Sequence, residues 1–240
     1  RESALRRSQG RSNTGVSLLD RGKILIGTSG WNYDHWKGPF YPQDLRKDDW
    51  LEFYADHLST VEVNNTFYQL PEKKTLKKWI GTVPSSFTFA VKASRYITHM
   101  KKLKDPDESL KRFLDSIDAL DELLGPVLFQ LPPSWNVNTE RLGEFLDALP
   151  DRLRCTFEFR DESWFSDEVL GLLRSKGAAF CIYHLAGRES PREGTADFVY
   201  VRLHGPGEKY QGSYDTRTLA GWAGAFSSWS ANGLEVYCYF

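Results

Sequence analysis

Cys155-Thr-Phe-Glu-Phe-Arg160 alternates apolar and polar side chains and then passes into Asp161-Glu-Ser-Trp164, where the alternation stops. A strand has a period of two, so Cys155, Phe157 and Phe159 share one face while Thr156, Glu158 and Arg160 share the other. The apolar face calls for a covering layer of helices. The opposite face carries a carboxylate and a guanidinium one pleat apart, just before a turn. Charge on the second face of an otherwise buried strand points to a polar site inside an apolar barrel, and the sites of such barrels lie at the C-terminal ends of their strands.

Outward from this stretch the pattern repeats. Residues 23–31, 60–68, 87–92, 127–130, 178–183, 198–204 and 234–240 are short apolar or alternating runs bounded by Gly, Pro or polar residues. Between them lie stripes at helical spacing, such as Trp50, Phe53, Tyr54 and His57, or Leu142, Phe145, Leu146 and Leu149. The longest stripe runs from Leu110 through Leu120 to Leu124, with Gly125 as its expected stop. A polar loop over 184–196 replaces the helix that should follow the sixth strand. Strands alternating with helices, without an internal repeat or linker, predict an α/β fold of the TIM-type (β/α)8 barrel, one domain over residues 23–240. Residues 1–22 read as a disordered or tag-like N-terminal segment. The chain as read stops on the eighth strand, so the C-terminal closing helix is expected to be missing, leaving apolar side chains exposed beside strands one and eight.

Composition narrows the function classes. Lys and Arg number 31 against 32 Asp and Glu, a formal net charge of -1, which gives no electrostatic footprint for nucleic acid or an anionic membrane. Aromatic residues make up 14%, enough for a large core with rings to spare for a pocket. Cys155, Cys181 and Cys238 all lie in apolar runs without a Cys-x-x-Cys spacing, so they read as reduced core residues. No apolar run approaches the ~20 residues that span a bilayer, and no signal-peptide pattern opens the chain, so a cytoplasmic location is expected.

Strand parity, set by the apolar residues that must face the helices, turns Glu62, Asn64, Lys92, Gln130, Glu158, Arg160, Tyr183, Arg202, His204, Tyr237 and Tyr239 inward. Buried charges must pair or wait for a ligand. Two carboxylates face three permanent cations, an excess that favours an anionic ligand such as a phosphate or carboxylate. Glu62 and Glu158 are candidate acid and base, of the kind that straddles a sugar, with His204 as a proton carrier. Asn64, Lys92, His99, Gln130, Arg160, Trp164, Arg202 and Tyr237 are the candidate substrate-binding residues. Glu62, Glu158 and His204 have the chemistry of metal ligands, but Lys92, Arg160 and Arg202 would repel a dication, so neither a metal nor a cofactor is expected. No P-loop, G-x-G-x-x-G turn or G-x-S-x-G elbow occurs.

Several motifs occur in a defined order: Gly27-Thr-Ser-Gly-Trp31, Phe40-Tyr-Pro42, Val61-Glu-Val-Asn-Asn-Thr-Phe-Tyr68, Ile97-Thr-His99, Gln130-Leu-Pro-Pro133, Glu158-Phe-Arg160 with Ser163-Trp164, and Val201-Arg-Leu-His-Gly205. In these the chain resembles the YecE-like family from about residue 23 onward. The resemblance implies a TIM-type barrel and no particular activity, since the family is a domain of unknown function. From the inward polar residues, the expected function is an enzyme, a hydrolase, lyase or isomerase, acting on a small anionic or sugar-like molecule by general acid–base chemistry at the barrel mouth. The alternatives are a binding barrel for an anionic ligand without turnover and, with less support, nucleic-acid processing.

Overall fold

The period-two runs become parallel strands because each buries one face against helices and the other inside a ring. The computed structural model describes residues 21–208 and 211–240. The segment expected to be disordered or tag-like, residues 1–22, lies almost wholly outside the described residues. The strands are β1 (Ile24–Gly27), β2 (Thr60–Val63), β3 (Thr88–Lys92), β4 (Leu124–Gln130), β5 (Cys155–Glu158), β6 (Ala179–Leu185), β7 (Arg188–Glu189), β8 (Phe198–Leu203) and β9 (Glu235–Tyr239). Helices α1 (Trp50–His57), α2 (Lys73–Thr82), α3 (Pro106–Ile117), α4 (Thr139–Ala148), α5 (Asp167–Ser175) and α6 (Thr216–Ala231) lie between them.

The sheet runs β1-β9-β8-β6-β5-β4-β3-β2, every neighbour parallel, with β7 paired antiparallel on β6. Between β1 and β2 the amide of Glu62 donates to the carbonyl of Thr28 at 3.0 Å, which brings the ring close to closure. The result is a nearly closed eight-stranded parallel barrel with one short hairpin strand added. No described helix is long and apolar enough to cross a membrane.

Three local expectations change. Gly125 does not stop a helix: α3 ends at Ile117, a 3₁₀ stretch covers Asp118–Leu123, and Gly125 lies within β4. A Cβ there would meet Thr88 Cγ2 at 2.4 Å, so glycine lets β4 lie close against β3. Strand two is shorter than its apolar run, because Thr66 Oγ1 donates to the carbonyls of Val63 and Lys92 at 3.0 and 2.6 Å and holds Asn65–Phe67 in a 3₁₀ turn. The loop over 184–196 starts as a hairpin turning through Ala186 and Gly187, both at positive φ. That backbone twist suits a tight hairpin connection.

Two cores result. Phe129, Phe145, Phe157 and Val169 belong to the layer between sheet and helices. Leu25, Ala90, Leu128, Cys181, Tyr200 and Tyr239 fill the ring itself. Tyrosine inside a barrel needs a partner for its hydroxyl. That of Tyr239 finds Thr60 Oγ1 at 2.7 Å, tying β9 to β2. Cys155, Cys181 and Cys238 are buried free thiols. Apolar exposure is expected beside strands one and eight; Ile24 and Ile26 of β1 are each 41% exposed, whereas Val236 and Cys238 of β9 are buried.

Gly27 sits at the closure, where a Cβ would lie 2.2 Å from the carbonyl oxygen of Thr60. Gly27→Ala should push β1 from β2 and lose ~1–3 kcal/mol of stability, read by urea unfolding. An unchanged midpoint would mean that the two strands do not press together at this point.

Candidate functional site

Lys92, Gln130 and Glu158 are the last residues of three consecutive strands, β3, β4 and β5. Arg202, near the end of β8, stands beside Tyr183 of β6 and Tyr239 of β9 in register. Period-two parity aims all of these into the ring, and parallel register sets them at the same end.

Arg202 is the centre of the arrangement. Its Nη1 donates to Glu158 Oε2 at 2.6 Å and its Nη2 to Glu62 Oε1 at 2.7 Å. Glu62 also accepts from Tyr200 Oη at 2.7 Å and Ser29 Oγ at 2.9 Å. Glu158 accepts from Gln130 Nε2 at 2.9 Å, from Arg160 Nε, and weakly from the Cys181 thiol at 3.9 Å. All four carboxylate oxygens are therefore engaged. Both glutamates are completely buried and Arg202 is 2% exposed. Removing such ions from water costs several kcal/mol each, and only hydrogen-bonded pairing of this quality offsets it.

The charges set the protonation states. Burial opposes ionisation of Glu158, but Arg160, Arg202 and Lys92 together outweigh it and hold the carboxyl well below the usual range. Glu62 is also lowered, burial again being overcome mainly by Arg202. Neither can serve as a general acid near neutral pH. Both remain ionised, available as bases or as fixed negative charge. His204 is buried and repelled by Arg202, which together bring it down to about 3 despite the opposing pull of Glu62 and Glu158. A group that stays neutral this far down does not exchange protons near neutral pH, so the proton-carrier role read for His204 does not fit its surroundings.

A second tier lies around Phe67. Lys92 Nζ is 4.3 Å from the centre of that ring and makes no hydrogen bond or ion pair with a described residue. Burial, then the charge of Arg202, lower Lys92 to about 8. His99 packs edge-on against the same ring at 5.0 Å, and its Nδ1 is 2.9 Å from Thr98 Oγ1. Burial and then Lys92 lower His99 as well, leaving it largely neutral at physiological pH. Arg160 lies over Tyr183, its Cζ 4.7 Å from the ring centre. Arg160 Nη2 and Arg202 Nε are buried donors without a partner among the described residues. A cluster with three cations, two carboxylates and unpaired guanidinium donors can receive an anion.

Three candidates lie elsewhere. Asn64 lines a groove of about 700 Å³ with Trp31, Lys78 and Trp79, beside the cluster rather than in it. Trp164 is fully buried on the helix side, stacked on Phe159 at 4.9 Å, with Nε1 donating to the carbonyl of Trp135 at 2.7 Å. It is a core residue, not a ring for a ligand. Tyr237 faces inward but low: its hydroxyl meets Arg154 at 2.9 Å and Glu235 at 3.2 Å, groups at the starts of β5 and β9. It belongs to the N-terminal end of the ring, away from the mouth.

Sequence reading missed Tyr200, Cys181, Ser29 and Phe67. Tyr200 and Cys181 had a signal, since each stands two residues before an inward residue, Arg202 or Tyr183. Ser29 and Phe67 lie past the ends of their strands, where parity no longer applies. His99 is presented by a π-helical turn over Tyr96–Met100, for which the sequence has no periodic sign.

Fold and mouth together define a parallel eight-stranded barrel with a buried charge cluster at the C-terminal ends of its strands. The chain belongs to the family described as "Protein of unknown function DUF72", whose model matches residues 25–240. It is 28% identical to the UPF0759 protein YunF of Bacillus subtilis over 166 residues, 64% of this chain and 58% of that protein. Against the UPF0759 protein YecE of Escherichia coli it is 28% identical over 144 residues, 60% of this chain and 50% of that one. The matches thus span about half the length of these relatives. Among solved structures, a DUF72 family protein of Thermotoga maritima superposes with a TM-score of 0.80 at 27% identity, over 91% of this chain and 92% of that chain. One from Enterococcus faecalis, at 21% identity, has a TM-score of 0.74 over 90% and 88% of the two chains, and this likeness concerns the fold alone.

Because both glutamates are held below the ordinary value of 4.5, the stability they contribute is present above that pH and is lost as pH falls through their folded values. Arg202→Met strands Glu62 without its cation, and should lose ~3–5 kcal/mol near neutral pH. The deficit should shrink toward pH ~4 as the stranded carboxyl takes up a proton. Urea unfolding of both proteins across this range measures it. A deficit that does not change with pH would show that the bridge is not ionic.

Proposed function

We propose that the barrel mouth binds a small molecule carrying a carboxylate or phosphate group and acts on it by general acid–base chemistry. The observation that carries this reading is the imbalance at the mouth. Arg202, Arg160 and Lys92 face only Glu62 and Glu158, while Arg160 Nη2 and Arg202 Nε are buried donors with no described partner. An anion supplies the missing charge and the missing acceptor in one group. In this reading Arg160 and Lys92 grip the anion, with Gln130 and Arg202 fixing the carboxylates beside it. Neutral His99 accepts a proton, and the ionised glutamates stabilise positive charge that develops on the substrate.

One observation favours a binding barrel without turnover as the second reading. Both glutamates are saturated by hydrogen bonds and held ionised, so the pair provides no proton to a leaving group. Product formation from any small anion, at a rate that Glu158→Gln lowers, separates the two.

Phosphate, sulfate and malonate, screened by thermal shift at low ionic strength, should each stabilise the protein if the mouth takes anions. At ~100 times its dissociation constant a ligand adds about 2.7 kcal/mol. Raising the salt concentration should weaken the effect. Arg160→Gln should abolish it while leaving the protein folded. No stabilisation by any of the three anions at low salt would contradict the reading.

A further inference from the structure

Lys92 differs from the other lysines in its surroundings. On the surface, Lys47, Lys74 and Lys111 each lie within 2.8 Å of a carboxylate oxygen. Lys92 ends β3 inside the mouth, its ammonium set over the face of Phe67 at 4.3 Å. The two carboxylates whose charge it feels, Glu62 and Glu158, already bond to Arg202, and Glu158 also to Arg160 and Gln130. Burial and the positive charge of Arg202 are the two surroundings that turn a lysine into a nucleophile, and they act against the face of Phe67, which favours the ammonium. Their effect is on the proton: burial, followed by Arg202, brings the ammonium down to about 8. About a tenth of the amine is then neutral near pH 7, against well under a thousandth for an ordinary lysine.

We propose that Lys92 is an imine-forming lysine, and that the molecule taken by the mouth is a small carbonyl compound bearing an anionic group, such as a 2-oxo acid. The substrate class rests on the anion-binding reading above. The Lys92 ammonium gives up a proton, the freed Nζ lone pair adds to the carbonyl carbon, and the π electrons move to oxygen, which takes that proton. The nitrogen of this carbinolamine loses its own proton, and its lone pair forms the C=N bond as the hydroxyl leaves as water. The product is a protonated imine. His99, held against the same Phe67 ring, is neutral near pH 7 and suited to receive and return the proton in that dehydration. The iminium carries the same charge as the ammonium it replaces, so the balance with Glu62 and Glu158 is kept. It also withdraws electrons from the adjacent carbon, which suits proton abstraction or carbon–carbon cleavage there.

The test is reductive trapping on the intact protein. Incubation with glyoxylate and sodium cyanoborohydride near pH 7 delivers hydride to any iminium carbon and leaves a stable secondary amine, which is located by digestion and mass spectrometry. Lys92 should be labelled about tenfold faster than exposed Lys37 or Lys104, with a rate that rises with pH and levels off above ~8. Inorganic phosphate should slow the labelling of Lys92 alone. Lys92→Arg keeps the charge and should lose the adduct. Labelling of Lys92 no faster than of the surface lysines, with phosphate still stabilising the protein, overturns the imine and leaves the anion reading intact. Fast labelling of Lys92 without any stabilisation by phosphate does the reverse.

Discussion

One guanidinium fork holds the mouth of this barrel together. Arg202, on β8, bonds Glu62 of β2 with one terminal nitrogen and Glu158 of β5 with the other. These strands are not neighbours in the sheet, so the bridge spans the ring rather than following its edge. Lysine could not replace it, because a single ammonium lacks the planar pair of donors that fixes two carboxylates in one plane. Buried ion pairs contribute little net stability compared with apolar side chains of the same size. What this one contributes is position. It fixes Glu158, and through it Gln130 and Arg160, while Lys92 feels both carboxylates without forming an ion pair with a described residue.

The interior below the bridge follows from the same constraint. A ring containing two buried carboxylates needs donors near them, and Tyr200 and Ser29 supply these to Glu62. Tyr239 bonds Thr60, while Tyr237 turns to Arg154 and Glu235 at the opposite end. The usual aliphatic layers of such barrels are thus partly replaced by hydroxyls; those of these three tyrosines are partnered, while Thr156 Oγ1 is buried without a partner among the described residues. A polar interior of this kind is intolerant of slippage, since moving a strand by one residue would put its charged side chains among the helices.

Much of this was legible in the chain. Alternation located the eight barrel strands, and parity placed Glu62, Lys92, Gln130, Glu158, Arg160 and Arg202 on the inner face, where the structure brings them together. Parity states which face a residue takes but not how high on the barrel it stands, which is why Tyr237 joined a site it does not reach. It also stops at a strand's end. Trp164 follows β5 through a 3₁₀ turn, and the turn swings it into the helix layer. The pairing of one arginine with two distant glutamates depends on ring closure, which no local pattern encodes. Nor does composition reveal that His204 sits where burial and Arg202 both oppose its charge.

The bridge can be read without unfolding the protein, by following the side-chain carboxyl carbons of 13C-labelled glutamate through an acid titration by NMR. Glu62 and Glu158, assigned by their glutamine variants, should keep the chemical shift of ionised carboxylates to below the ordinary value of 4.5. A carboxyl at either position that takes up its proton above pH ~6 would contradict the bridge and return that residue to the role of a general acid.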